Sequence, residues 1–202
     1  METSAPALPQ TSQTPQTVAE PAKKSRLGLG TILRRFLVPG FVVTLRGLSK
    51  YGAKISPKAE VEITPNLRLG KKSVISSFVK IKSKDGPLHI GNNVEIASFC
   101  VITSHTAGTY IGDDTLIGPN CSIIGNNYRY DRLDVPIRLQ EKVSPKGIRI
   151  ANNVWIGAGC TILDGADIGP GCIVTPNSVV SSKLPENSIA QGNPAKVIFT
   201  RR

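Results

Sequence analysis

Residues 153–174, NVWIGAGCTILDGADIGPGCIV, place an aliphatic side chain at every sixth position. The same spacing continues on both sides of this stretch and covers Ile63, Leu69, Ile75, Ile81, Ile90, Ile96, Ile102, Ile111, Ile117, Ile123, Ile150, Ile156, Ile162, Ile168, Val174 and Val180. Glycine and asparagine crowd the intervening turns, where a positive φ is easily adopted. A period of six predicts an all-β fold, a triangular parallel β-helix with one hexad per face.

The interior positions of this repeat carry small residues, as a narrow prism requires. All four cysteines lie four places after an aliphatic position, and stacking puts Cys100, Cys121 and Cys160 in one column. A zinc site or a disulfide framework is the alternative interpretation. The position in the repeat favours buried, reduced core cysteines.

The chain is basic, with 25 Lys and Arg against 14 Asp and Glu, and basic proteins attract anions. Aromatic residues make up 5% of the 202 residues, which argues against a base-stacking nucleic-acid surface. Residues 1–22 are rich in Pro, Ser, Thr and Gln, and we expect them to be a disordered tail. Residues 53–185 are predicted to form the β-helix, and residues 186–202 a C-terminal cap.

Residues 23–52 mix apolar side chains with Lys and Arg. They predict either a broken amphipathic helix on an anionic membrane or a partly helical cap packed on the next domain. The apolar run FLVPGFVVTL (36–45) is too short to span a bilayer as a simple helix, and no signal peptide is recognisable. We therefore expect a cytoplasmic protein, with peripheral membrane contact under the first of these two alternatives.

Three insertions interrupt the repeat. Nine residues instead of six separate Ile81 from Ile90 and Ile102 from Ile111, and 27 separate Ile123 from Ile150. With three hexads per coil, Ile63, Ile81, Ile102, Ile123 and Ile162 are expected in one column, so all three insertions leave the prism at one corner. Stacked insertions of this kind indicate a functional site.

The repeat resembles that of the hexapeptide-repeat acyltransferases, on the basis of the stretch 153–174 and the ending SIAQGNPAKVI (188–198). The similarity is greatest to the sugar and polysaccharide O-acetyltransferases. It implies a left-handed parallel β-helix, a homotrimer with active sites between neighbouring prisms, acetyl-CoA as the acyl donor, no metal, and a role in polysaccharide biosynthesis.

The protruding loop (124–149) resembles the loop of sugar O-acetyltransferases, which often begins Asp-His-Asn-His and continues to Asp-x-Pro-Ile. Asp134, Pro136 and Ile137 match the continuation, whereas Asn126 and Tyr128 fill the two histidine positions. An amide does not titrate, and a tyrosine hydroxyl is protonated near pH 7, so neither is a general base. Asn126 is instead expected to donate to the oxyanion, and Tyr128 to contact substrate.

His105 is the expected catalytic base. It lies in SHTAGTYIGD (104–113), which resembles the histidine-bearing segment of serine acetyltransferases, and it stands one coil from Asn126. Asp131 and Asp134 are expected to contact substrate, and one of them, from this chain or a neighbouring one, is expected to orient the ring. The alternative is that His105 only caps a turn. His89 is expected to face solvent or pack in the trimer, and Trp155 to form a wall of the acceptor pocket or pack against the loop.

The donor is expected to lie along a prism edge. The resemblance implies contacts between its pantetheine arm and the backbone of Gly157, Ala158 and Gly159, and a continuation of the groove near Thr175. Lys196 and Arg201 or Arg202 are candidates for the nucleotide phosphates.

The alternative function is a catalytically inactive trimeric scaffold or binding protein, suggested by Asn126 and Tyr128. A γ-class carbonic anhydrase shares the fold but needs three histidines around zinc, and this chain has 2. No GxGxxG or Walker A motif indicates a nucleotidyltransferase domain.

Overall fold

A computed structural model describes residues 40–202, in which 20 of 22 short strands form a left-handed parallel β-helix and two form a separate ribbon. The strands assemble into three flat sheets, here called A, B and C. Sheet A contains β1 (Lys54–Ile55), β4 (Val74–Ile75), β7 (Glu95–Ile96), β10 (Leu116–Ile117), β15 (Trp155–Ile156), β18 (Ile173–Val174), β21 (Ser188–Gly192) and β22 (Ala195–Thr200).

Sheet B contains β2 (Glu60–Val61), β5 (Lys80–Lys82), β8 (Val101–Thr103), β11 (Ser122–Ile124), β16 (Thr161–Leu163) and β19 (Val179–Val180). Sheet C contains β3 (Leu67–Leu69), β6 (Leu88–Ile90), β9 (Thr109–Ile111), β14 (Ile148–Ile150), β17 (Asp167–Ile168) and β20 (Lys183–Leu184). The chain visits A, B and C in turn, which defines an A/B, a B/C and a C/A corner. The predicted fold class is confirmed.

Stacked aliphatic side chains fill the prism. In sheet B, Ile81, Ile102, Ile123 and Ile162 pair in register on successive coils, and each is completely buried. Because each coil is stabilised only by the coils next to it, this continuous column is the main source of cohesion along the axis.

The first coil departs from the predicted register. Val61, not Ile63, pairs with Ile81, and Ile63 is only half-buried. Eight residues therefore separate Val61 from Leu69, the next residue at the repeated aliphatic position, so two extra residues lie in this connection at the B/C corner. The prediction for Ile63 was wrong because the six-residue spacing from Ile63 to Leu69 is accidental, whereas Ile55 to Val61 carries the repeat.

The cysteines are buried and free, as expected. Cys100, Cys121 and Cys160 are neighbours along the A/B corner, where the backbone N–H groups of Val101 and Ser122 donate to the carbonyls of Cys121 and Cys160. The hydrogen bond with the Cys100 thiol raises the pKa of Cys121 to about 11. Burial raises the pKa of Cys172. The described residues contain no cluster of three His, Cys, Asp or Glu side chains able to hold a metal ion.

The corners require left-handed backbone. At the A/B corner the residue before the interior position has a φ of 58° at Asn120, 69° at Gly159 and 60° at Asn177. Phe78 and Phe99 occupy the same position with φ of 62° and 64°. Asparagine and glycine adopt this conformation readily, whereas other residues lose roughly 1–2 kcal/mol in it.

Short elements cover both ends of sheet A. Helix α1 (Gly40–Arg46) and a π-helical turn (Gly47–Tyr51) pack on β1, and Thr44 Oγ1 donates to the Ile55 carbonyl at 2.7 Å. Residues 40–52 thus pack on the next domain, whereas 1–39 lie outside the described residues and the disordered tail and membrane contact stay predictions. No helix within residues 40–202 has the length and apolar character to cross a membrane.

At the other end, the parallel stack continues beyond the predicted boundary at residue 185. Strand β21 pairs in parallel with β18, and β22 then pairs antiparallel with β21. The predicted cap therefore contributes one further strand to the stack before the chain reverses.

Candidate functional site

The insertions leave the prism at the B/C corner on successive coils, as the spacing predicted. They form the connections β5–β6 (83–87), β8–β9 (104–108) and β11–β14 (125–147). The long connection is an antiparallel ribbon of β12 (Asn127–Tyr128) and β13 (Lys142–Val143), with a 3-10 turn at Ile137–Leu139 between them. This corner is therefore the only one from which a folded arm extends in the described residues.

His105 lies in the second insertion, and the backbone of this turn is closely held. The Gly108 N–H donates to the His105 carbonyl at 2.8 Å, the Ser104 N–H donates to the Lys82 carbonyl at 3.1 Å, and the Ser104 hydroxyl donates to the Pro87 carbonyl. The half-buried His105 ring places Nδ1 3.2 Å from Thr106 Oγ1, which leaves Nε2 for an incoming group.

Gly86 makes this arrangement possible. A Cβ added to Gly86 would lie 1.9 Å from the His105 carbonyl oxygen and 2.2 Å from its carbonyl carbon. The turn of the first insertion therefore contacts the backbone of His105 directly, and a residue with a Cβ at position 86 would not fit this contact.

Asn126 lies at the same corner, one coil further along. Thr103 Oγ1 donates to Asn126 Oδ1 at 3.2 Å, and the Gly125 N–H lies 3.2 Å from Thr103 Oγ1. Because its oxygen is engaged, Asn126 presents the two hydrogens of Nδ2 as donors. The repeat predicted that His105 and Asn126 share a corner, but it did not identify Thr103 as the residue that orients the amide.

The two loop carboxylates pair with arginines of the same loop. Asp131 forms an ion pair with Arg129 at 2.6 Å, and Asp134 forms one with Arg132 at 2.5 Å. These hydrogen bonds lower the pKa of both carboxyl groups. Each carboxylate accepts from an arginine two residues away at both of its oxygens, and its role in orienting the imidazole, from this chain or a neighbouring one, stays a prediction.

The two further predicted substrate residues lie on different elements, the arm of the B/C corner and sheet A. Tyr128 is exposed on β12, with Lys142 Nζ 5.8 Å from its ring centre. Trp155 lies on the outer surface of sheet A, between Leu116 and Ile173, and is 49% exposed. Sheet A is the face opposite the B/C corner, so Trp155 and His105 do not meet in one chain.

The predicted donor residues lie at the A/B corner. The Gly157 N–H donates to the Val174 carbonyl at 2.8 Å, the Gly159 N–H donates to the Pro119 carbonyl at 2.9 Å, and the Ala158 carbonyl accepts from Asn177. A Cβ on Gly157 would lie 2.6 Å from Pro176 N, so the stacking of coils requires this glycine whether or not a ligand binds.

The candidate phosphate-binding cations lie at different corners of the prism. Lys196 pairs with Gln191 on β21, next to Ala190, whose carbonyl accepts the Thr175 N–H at 2.9 Å. Lys196 therefore lies near the A/B corner, two strands beyond Thr175 along the axis. Arg201 lies instead at the C/A corner, where it donates to the Gly171 carbonyl at 2.7 Å.

Tyr110 is a site neighbour that the sequence did not single out. Its ring lies so close to Gly108 that an added Cβ would be 2.7 Å from the tyrosine hydroxyl oxygen. Arg149 and His89 flank the ring at 5.2 Å and 5.0 Å, and burial together with Arg68 lowers the pKa of His89. The sequence did contain a signal for Tyr110: it directly precedes the buried Ile111, so its side chain points outward from the prism.

Comparison with known proteins agrees with this architecture. The repeat family described as bacterial transferase hexapeptide (six repeats) matches residues 147–182. A protein of Mycobacterium tuberculosis provisionally named as an acetyltransferase is 30% identical over 170 residues, which are 84% of this chain and 56% of that protein. The chain thus spans little more than half of this relative.

Two other comparisons are informative. A protein of Escherichia coli provisionally named as a lipopolysaccharide biosynthesis O-acetyl transferase is 47% identical over 49 residues, 24% of this chain and 25% of that protein. The solved structure of AntD, an N-acyltransferase from Bacillus cereus in complex with dTDP and 3-hydroxybutyryl-CoA, superposes with a TM-score of 0.66 and 21% identity, covering 75% of this chain and 81% of AntD. The similarity to AntD shows the fold, and the recognised hexapeptide repeat is confirmed.

Proposed function

We propose that this chain, which carries the hexapeptide repeat of bacterial transferases, moves an acetyl group from acetyl-CoA to a hydroxyl of a sugar or polysaccharide precursor. The observation that carries the proposal is the B/C corner, where three insertions converge on a histidine whose Nε2 is available. The acetyltransferase names of the sequence relatives support the reaction class, and the O-acetyl transferase name of the E. coli relative supports a hydroxyl acceptor.

The reaction is a direct transfer with His105 as general base. In the tautomer that carries its hydrogen on Nδ1, the imidazole donates from Nδ1–H to Thr106 Oγ1. Nε2 then accepts the proton of the acceptor hydroxyl as the hydroxyl oxygen attacks the thioester carbonyl. A C–O bond forms, the C–S bond breaks, and the proton passes from the imidazolium to the departing thiolate. The Nδ2 hydrogens of Asn126 donate to the oxyanion in between.

The site is proposed to form between chains of a homotrimer. The base lies at the B/C corner and the candidate donor residues Gly157, Thr175 and Lys196 lie at the A/B corner, so one chain does not bring them together. A ring in which one chain's B/C corner faces the next chain's A/B corner is a closed heterologous assembly. The exposed Leu116, Trp155 and Phe199 on sheet A provide apolar surface for such contacts.

A trimeric scaffold without catalysis is the second candidate, favoured by Asn126 and Tyr128 at the positions of the loop histidines. Thiol release from acetyl-CoA, measured with a panel of sugar acceptors, separates the two. We expect His105→Ala to lower kcat by roughly 10²–10⁴-fold with an unchanged unfolding temperature. Asp85→Ala, an exposed change in the neighbouring turn, is the control. Equal, near-zero rates for wild type and His105→Ala across the panel would favour the scaffold.

A further inference from the structure

The A/B corner carries two phenylalanines in an unfavourable backbone conformation. Asn120, Gly159 and Asn177 show which residues this left-handed position accepts at low cost, yet the two preceding coils place Phe78 and Phe99 there. A bulky residue with positive φ is uncommon, and strained positions of this kind concentrate at functional sites.

The two phenylalanine rings bury only part of their apolar surface when the chain folds. Phe78 is 52% and Phe99 57% exposed, and the rings stack on each other with centroids 5.1 Å apart and planes 10° apart. Lys58 Nζ lies 5.6 Å from the centre of the Phe78 ring. The pair, here called the aromatic ledge, presents apolar surface to solvent that the interior of the prism does not use.

A hydroxyl-lined cavity adjoins the ledge. It has a volume of about 410 Å³ and lies between the N-terminal helical segment and sheet A, with Ile55, Val74 and Leu48 as apolar lining. Five hydroxyl-bearing residues, Thr44, Ser56, Ser76, Ser77 and Ser98, and the cation Lys54 also line it. Ser77 and Ser98 directly precede the two phenylalanines, so on two successive coils a residue of the cavity lining is followed at once by a residue of the ledge.

The hydroxyls form a row along the axis. Ser56 Oγ and Ser77 Oγ are 2.9 Å apart on neighbouring coils, and a serine hydroxyl both donates and accepts. A sugar ring has the matching character, because its C–H face packs on an aromatic ring while its hydroxyls exchange hydrogen bonds. A cavity with mixed apolar walls and a few convergent polar groups is the usual form of a small-molecule site.

We propose that the aromatic ledge and the adjoining cavity bind a neutral saccharide unit. This rests on the proposed function, since in the proposed ring a glycan held at one chain's A/B corner lies towards the B/C corner of the next chain, where its acetylation is proposed. The binding itself requires neither acetyl-CoA nor His105, so the two proposals can fail separately.

The test uses the full chain on an array of immobilised neutral oligosaccharides. We expect the wild type to bind at least one, and the double variant Phe78→Asn, Phe99→Asn to bind at least tenfold more weakly while its unfolding temperature rises by a few degrees. Lys72→Asn is the matched control, because Lys72 has a φ of 61° at the C/A corner. It relieves the same kind of strain and leaves saccharide binding unchanged.

Three results would overturn the proposal. They are an array on which the wild type binds nothing, equal binding by wild type and the double variant, and a double variant that sediments as a smaller oligomer, which would assign the ledge to contact with a second copy. His105→Ala binds the array like the wild type. Loss of transfer activity with retained array binding therefore counts against the catalytic proposal alone.

Discussion

Replacement of Gly86 by alanine tests whether the stacked insertions position the base. The φ of Gly86 is not positive, so alanine adopts its backbone without strain, and the consequence is steric. The new Cβ would lie 1.9 Å from the His105 carbonyl oxygen, whereas real Cβ contacts are essentially never shorter than 3.0 Å. The two turns must separate by at least about 1.1 Å.

A displacement of this size at a reacting group lowers rates by about 10²-fold. We therefore expect Gly86→Ala to lower kcat by roughly that factor, with KM for acetyl-CoA little changed because the candidate donor residues lie at the A/B corner. The Asn66 amide donates to the carbonyls of Ser83 and Lys84 in this turn, and the Ser104 hydroxyl donates to the Pro87 carbonyl, so the unfolding temperature is expected to fall. The far-UV circular dichroism spectrum should stay close to that of the wild type, since the change is confined to one turn.

The assay is steady-state thiol release from acetyl-CoA with the best acceptor found for the wild type, and Asp85→Ala is the control. A folded Gly86→Ala protein with the wild-type kcat, under conditions in which His105→Ala is inactive, would refute the positioning argument. A proportional rise in KM with unchanged kcat would also refute it, since a displaced base acts on the chemical step.

Two further predictions concern the prism itself. Ile123→Ala removes a completely buried side chain and is expected to lower the free energy of unfolding by about 2–5 kcal/mol, whereas Ile63→Ala, outside the interior column, should cost clearly less, as urea titration can measure. An equal loss at both positions would contradict the pairing of Val61 with Ile81 in the first coil. Iodoacetamide at pH 8 should modify none of the 4 cysteines in the folded protein and all of them after denaturation, as counted by mass spectrometry, because burial keeps all four thiols inaccessible to the reagent.

The six-residue period was sufficient to predict the sheets, the buried isoleucines and the corner that carries the insertions. It failed at Ile63 because the spacing of one hexad does not distinguish an interior residue from its neighbour two positions later. Alternation places Val61 and Ile63 on the same side of an extended strand, and only pairing with Ile81 decides between them.

The site was predicted less completely than the fold. A repeat fixes which coil and corner a residue occupies, so His105 and Asn126 could be placed together. It does not fix side-chain pairing, and the ion pairs of Asp131 and Asp134 with local arginines depend on the conformation of a loop outside the repeat. Trp155 was assigned to the acceptor pocket because it follows the end of the protruding loop closely in sequence. Closeness in sequence does not determine which face of the prism the next strand occupies.

The reversal of β22 has a consequence for how copies of this molecule can meet. A stack of parallel coils ends in unpaired backbone groups, onto which the first coil of another copy could add and polymerise into a fibre. Along sheet A, β22 runs in the opposite direction, with a register shift between Ile189 and Ala190, and α1 packs against β1 at the far end. Lengthwise growth is thereby blocked on that face, and the long flanks are left as the surfaces through which copies associate.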